Sequence, residues 1–184
     1  IELEKSVTNF DDFLNELDVK IIIKQADEFS IPRISQLTLK TNQFNLTTKR
    51  YQEEEIQKLS SNKNIILGCA QIEDKFGNNG ITNVFIIDKQ NPSEWMIDTF
   101  LLSCRVMGRR VEDGIISFIL NKAKNHGVKR VKAKYIPTKK NAPCANFLLN
   151  SGFNKDGDFY VFDLSNEIKF PTHLNIIENG KKTF

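Results

Sequence analysis

The sequence predicts a mixed α/β layer fold, with strands and helices alternating around one sheet. Three observations carry this. β-type apolar runs at Asn64 to Ile72, Gly80 to Asp88 and Trp95 to Cys104 follow one another as a meander. Segments with helical apolar spacing stand before, between and after the strands, so helices are expected on both faces of the sheet. The length of 184 residues with 40% hydrophobic content supports one full core, with room for a short appendage.

In chain order, Ser6 to Leu17 carries Phe10, Phe13, Leu14 and Leu17 on one helical face after a capping Thr or Asn. It reads as a lead-in helix or linker from an upstream domain, covering residues 1–18. A start at Ile1 rather than Met fits a piece of something larger. Val19 to Lys24 reads as the first strand. Ile31-Pro32 suits a helix start, with Ile34, Leu37 and Thr38 at helical spacing up to Thr41. The polar loop Thr41 to Thr48 comes next, then a helix over about Gln52 to Leu59. Lys75 to Gly80, rich in Gly and Asn, closes a hairpin between the next two strands. After the third run of the meander, Val111, Ile115, Phe118, Ile119 and Lys122 mark a helix that His126-Gly127 ends. Arg130 to Tyr135 reads as a strand, Ala142 to Asn150 as a short helix, and Phe153 with Phe159 to Leu164 as a closing hairpin. The domain is expected to span 19–165, with residues 166–184 a polar, peripheral or frayed tail.

Composition narrows the function classes. The 26 basic and 23 acidic residues leave a net charge of +3, too small for the dense basic face of a nucleic-acid binder. No apolar run approaches the roughly 20 residues of a membrane helix, and the first residues lack a secretion signal, so the expectation is a cytoplasmic protein with no membrane partner. Three scattered cysteines fit reduced thiols, and with two histidines no metal centre is expected.

Leu101 to Val111 joins an apolar strand to a helix through Arg105-Val106-Met107-Gly108-Arg109-Arg110. First-turn N–H groups have no partner within their helix and lie at the positive end of its dipole, so this junction can cradle a phosphate or pyrophosphate with arginine support. The alternative is an ordinary strand-to-helix turn with solvated arginines. Cys104, beside two arginines and a helix start, either carries an acyl group as a thioester or is a small buried strand residue. Asp98 is either a general base or an outward charge. Gln43 and Asn45 either line the acceptor side of a cleft or belong to an Asx-turn loop with Phe44 plugging the core. His126 is placed as a helix C-terminal residue.

The element order, with Arg105 to Arg110 after the fourth strand, resembles the GNAT (N-acetyltransferase-like) fold, a mixed and mostly antiparallel sheet with helices on both faces. The GNAT signature there is Gln/Arg-x-x-Gly-x-Gly/Ala, whose amides hold the pyrophosphate of coenzyme A. Arg105 and Gly108 match it, and Arg110 stands at the small-residue position. The resemblance implies coenzyme A or phosphopantetheine held by Arg105, Val106, Met107, Gly108, Arg109, Arg110 and Asn141. The pantetheine would lie in the splay between the fourth and fifth strands. Asn141 is alternatively a helix N-cap, and Leu148 stands where the family has a proton-donating Tyr.

Thr41 to Thr48, Asp98 to Arg109 and Pro137 to Pro143 further resemble the C-terminal domain of FkbH-like proteins, over roughly residues 20–165. These proteins usually carry an N-terminal HAD phosphatase-like domain, whose DxDxT-type motif this sequence does not contain. The resemblance implies transfer of a glyceryl group from a phosphorylated glycerate to the phosphopantetheine thiol of an acyl carrier protein, in polyketide or methoxymalonate biosynthesis. Two other readings stand beside it: a coenzyme A-dependent N-acyltransferase, and a non-catalytic docking module. In the docking reading a rim of Arg105, Arg109, Arg110, Lys139 and Lys140 steers an acidic carrier protein.

Overall fold

The computed structural model describes residues 9–180 and 184. The start of the lead-in helix expected at Ser6 lies outside them. Within them the chain opens with α1 (Phe10–Glu16), capped by Asn9, whose Oδ1 accepts from the Asp12 N–H at 2.8 Å.

The strands are β1 (Val19–Gln25), β2 (Phe44–Asn45), β3 (Ile65–Asp74), β4 (Gly77–Asn91), β5 (Glu94–Leu102), β6 (Arg130–Ala133), β7 (Asn154–Asp156), β8 (Phe159–Asp163) and β9 (Leu174–Glu178). The further helices are α2 (Ile31–Lys40), α3 (Glu53–Ser61), α4 (Val111–Asn125) and α5 (Phe147–Asn150). Among the described residues the sheet runs β7-β8-β6-β5-β4-β3-β1-β9, with β2 added against β5. β1 pairs with β9 and β5 with β6 in parallel, and the other pairs are antiparallel.

Helices cover both faces, as the periodicity predicts. One core joins α1, α4 and α5 to the sheet through Leu14, Ile115, Ile119, Phe147 and Phe100, and the other seats Ile34, Leu37 and Ile56 of α2 and α3 on Leu67, Val84 and Ile86. Pro32 stands in the first turn of α2, where a missing N–H costs nothing. α3 begins with the Gln52 N–H donating to the Glu55 carboxylate at 2.8 Å. Gly68 lets β3 lie against the Phe85 ring, since a Cβ there would fall 2.1 Å from Cζ.

Three segments differ from the sequence reading. The helix expected over Ala142 to Asn150 is a 3₁₀ turn at Ala142–Cys144 followed by the single turn of α5, because Asn146 leaves helical geometry at φ −100°, ψ 2°. The strand expected to end at Cys104 stops at Leu102, and Cys104 opens a 3₁₀ turn. The polar tail contributes β9, whose own Leu174 and Ile176 pack on the core above Gly114. A short strand inside a polar tail gives a weak sequence signal; its place is set by the parallel edge that β1 leaves open.

Candidate functional site

The site expected from sequence lies where β5 and β6 part. They pair only between Glu94–Ile97 and Arg130–Ala133. Beyond that the gap holds the chain's own segment Phe44 to Leu46. Phe44 and Asn45 pair with Leu102 and Leu101 of β5. The Leu46 N–H donates to the Phe100 carbonyl at 3.2 Å, while the Leu46 carbonyl accepts from the Ile136 N–H at 2.9 Å. One short strand thus bridges both edges that an extended pantetheine arm would need.

The side chains explain why this loop enters the sheet. Phe44 and Leu46 are 4% and 1% exposed. Phe44 meets Phe100 and Phe147 with ring centroids 6.2 and 5.1 Å away. Asn45, 0% exposed, donates to the Thr41 carbonyl at 3.2 Å and accepts from the Thr48 N–H at 2.9 Å, so it shapes the loop rather than reaching a substrate. Gln43 is exposed. Arg50 clamps the same loop, donating to the carbonyls of Thr38 and Thr41 and to Asn42 Oδ1.

Asn141 serves the same loop. It is 0% exposed and caps no helix with its side chain. Its Nδ2 donates to the carbonyls of Asn45 at 3.0 Å and Ile136 at 2.9 Å, and its Oδ1 accepts from the Thr138 N–H at 2.7 Å and the Tyr135 hydroxyl at 3.2 Å. Every polar atom of the amide is used in tying β2 to the segment after β6. Leu148, at the position of the family's Tyr, is buried.

Asp98 stands where β5 leaves β6, next to a register shift against β4. Its carboxylate accepts from Lys49, from the Tyr51 hydroxyl at 2.7 Å and from Thr99 Oγ1 at 2.8 Å, while its carbonyl accepts from Thr47 Oγ1 at 2.9 Å. It therefore pins the far end of the inserted loop. Burial, followed by the bond to Asp98, pushes the Tyr51 hydroxyl pKa well up.

In the Arg105 to Arg110 turn, Gly108 takes φ 88°, the left-handed region that glycine favours. Arg110, at the small-residue position of the signature, also has positive φ, 57°. Val106 and Met107 pack on the core. Two of the arginines are already paired. Arg109 meets Asp74, whose side chain is 1% exposed, and its carbonyl contacts His173 Nε2 at 2.9 Å. Arg110 Nε lies 3.0 Å from the Asp113 carboxylate. Arg105 and Cys104 are exposed.

The α4 N-terminus is acidic, with Glu112 and Asp113 in its first turn. A cavity of about 560 Å³ lies there, lined by Phe44, Arg110, Glu112, Asp113, Asn146 and Phe147. Among the described residues Glu112 Oε2 is buried without a hydrogen-bond partner, and burial pushes the Glu112 carboxyl up to about 7, with Asp113 adding to the rise. With Arg110 neutralised by Asp113 and Glu112 buried beside it, the expected pyrophosphate position offers a doubly charged anion little net positive charge. Sequence reading missed Glu112 and Asp74. Their acidity was visible, but their burial was not.

No protein-family model matches the chain, and no curated protein sequence does. Solved structures do. An acetyltransferase of the GNAT family from Staphylococcus aureus superposes with a TM-score of 0.59 at 11% identity, covering 78% of this chain and 99% of that one. The ribosomal-protein-S18-alanine N-acetyltransferase of Escherichia coli gives 0.58 at 10% identity over 89% of this chain and 99% of that one. A Mycobacterium tuberculosis protein solved in complex with CoA gives 0.55 at 15% identity over 73% and 72%. At such identities the likeness speaks for architecture, and by architecture this chain has the GNAT fold.

Proposed function

We propose that this chain is a GNAT-fold docking domain for an acyl carrier protein, serving acyl or glyceryl transfer to the carrier's phosphopantetheine thiol. The resemblance to FkbH-like proteins supplies the pathway class, and an HAD-type domain would supply the dephosphorylating chemistry. The observation that carries the reading is the closed splay. The β5 edge that would grip a free coenzyme A arm is bonded to Phe44, Asn45 and Leu46, and Leu46 is bonded in turn to Ile136 in the segment after β6. Exposed Arg105 follows β5 on one side of that strand, and exposed Lys139 and Lys140 follow β6 on the other. A basic rim around a filled cleft suits the acidic surface of a carrier protein better than a cofactor threaded through the sheet.

Cys104 gives the reading its catalytic arm. Its thiol is exposed on the rim, so as thiolate it can attack the acyl carbon of a glyceryl phosphate anhydride, expelling phosphate and keeping the glyceryl group as a thioester, which the carrier thiol then takes by exchange with release of the Cys104 thiolate. Binding of a phosphopantetheinylated acyl carrier protein is measured at low and high salt, followed by intact-mass spectrometry after adding a glyceryl donor from a complete FkbH-like enzyme. Salt-sensitive binding supports docking, and an adduct lost in Cys104→Ser supports the relay. Absence of carrier binding at low salt refutes the docking reading.

A coenzyme A-dependent N-acyltransferase is the second reading, favoured by the fold itself and by a fold neighbour solved with CoA. It requires β2 to withdraw from the sheet. Turnover of acetyl-CoA with an amine acceptor would establish it in place of the first.

A further inference from the structure

Among the described residues the most exposed large apolar side chains are Phe29 and Phe76, 84% and 69% exposed. A lone ring in water is informative only where the backbone fixes it and its surroundings select a partner. Both rings are fixed. Asp27 Oδ1 accepts the N–H groups of Phe29 and Ser30 at 3.1 and 2.9 Å, and Asp74 Oδ1 accepts the Phe76 N–H at 2.8 Å. Their surroundings differ in sign. Exposed Glu28 precedes Phe29, whereas exposed Lys75 precedes Phe76.

Lys75 and Phe76 are the whole tip of the β3–β4 hairpin, since Asp74 and Gly77 already pair. Gly77, at φ 138°, supplies the backbone that closes so short a turn. The tip is braced twice. The Lys75 N–H donates to the Leu17 carbonyl after α1 at 2.8 Å, and the second oxygen of Asp74 pairs with Arg109 of the signature turn. One carboxylate, in a side chain 1% exposed, therefore ties the ring's backbone to that turn. The turn leaves β5 at Ser103, whose N–H donates to the Thr82 carbonyl at 2.7 Å, and reaches the hairpin at Arg109, so it follows the first half of β4 to the tip. Exposed Cys104 and Arg105 lie on that course.

The charge around the tip is positive. Among the described residues neither Lys75 nor Arg105 is in an ion pair, while Arg109 is neutralised by Asp74. Glu73, the other acid of the hairpin, accepts from Gln71 and Asn78 at 2.9 and 3.3 Å and stands in register opposite Lys20. A fixed ring beside unpaired cations complements an apolar groove with an acidic rim, and a ring already in place loses little freedom on binding. We propose that the Lys75-Phe76 tip is the aromatic anchor of the carrier-protein interface, with Phe76 seated in an apolar groove of the carrier and Lys75 and Arg105 against its acidic rim. The assignment rests on the docking reading, and it names the side chain that holds the carrier beside Cys104.

The test is titration of the full chain and its variants with a phosphopantetheinylated acyl carrier protein. Phe76→Ala should weaken binding at least about tenfold with an unchanged Tm, while Phe76→Trp retains it. Lys75→Gln should lower the affinity and flatten its salt dependence. Phe29→Ala, which removes the other exposed ring at the far end of β1, should leave binding unchanged. A parent chain that binds the carrier no better than Phe76→Ala does, or an equal loss in Phe29→Ala, overturns the anchor and leaves docking standing. No carrier binding by the parent chain overturns the docking reading and the anchor together. Phe76-dependent binding to vesicles of phosphatidylserine and phosphatidylcholine, with carrier binding indifferent to Phe76, overturns the choice of a protein partner.

Discussion

Replacing Phe44 with Ala tests whether the inserted strand is a structural part of the sheet or a loosely seated loop. The ring is 4% exposed and lies against Phe100 and Phe147. Truncating a core Phe costs about 3–5 kcal/mol, the lost transfer energy plus the cavity left behind. A loop end that relaxes into the space places this site near the lower limit, about 3 kcal/mol, a large share of the roughly 5–15 kcal/mol typical of a domain. Urea denaturation should show the midpoint falling with an unchanged slope. Native-state hydrogen exchange should show the Leu46 and Ile136 amides, which flank the strand, speeding more than those of β3 and β4. A loss under about 1 kcal/mol with unchanged exchange at both amides would refute the idea that β2 closes the splay by packing.

Three further substitutions probe neighbouring claims. Asn141→Ala strands the buried carbonyl of Asn45 and frees that of Ile136, and should cost about 1–3 kcal/mol, read as a lowered Tm; an unchanged Tm with lost ligand binding would restore Asn141 as a ligand residue. Glu112 has an ordinary carboxyl value of 4.5 raised to about 7 in the fold, so its contribution is fully present below pH 4.5 and is lost as pH rises through 7. Glu112→Gln removes that loss, so urea titrations at about pH 5 and pH 8 should show the variant gaining on the parent by about 2 kcal/mol at the higher pH; a difference constant with pH contradicts the burial argument. Gly68→Ala places a methyl into the Phe85 ring and should destabilise by about 1–3 kcal/mol, with Phe85→Leu in the same chain recovering part of it; full stability in the single variant would show that the ring moves freely.

Local pattern carried the meander, the helices on both faces and the strand-to-helix turn at Arg105 to Arg110, since these follow from apolar period, Gly and Pro placement and residue order along a contiguous stretch. The same stretch held the residues that resemble the GNAT signature, and the architecture agrees with that fold. The site did not follow from the same information. That Asn141 spends its amide on Asn45, 96 residues earlier in the chain, is a contact of high sequence separation with no local signal. Polar residues such as Asn45, Asp98 and Asn141 read equally well as ligand contacts or as loop anchors until their partners are known.

Which segments become strands and helices, and where a basic, glycine-containing turn meets α4, were legible along the chain, because secondary structure and turn chemistry answer to neighbours a few residues away. Three-dimensional packing alone determines that Phe44 to Leu46 fills the gap between β5 and β6, and that Asp74 and Asp113 take up Arg109 and Arg110. The difference arises because hydrogen bonds and ion pairs are satisfied in space, and a buried polar group takes whichever partner the packed core brings within roughly 3 Å.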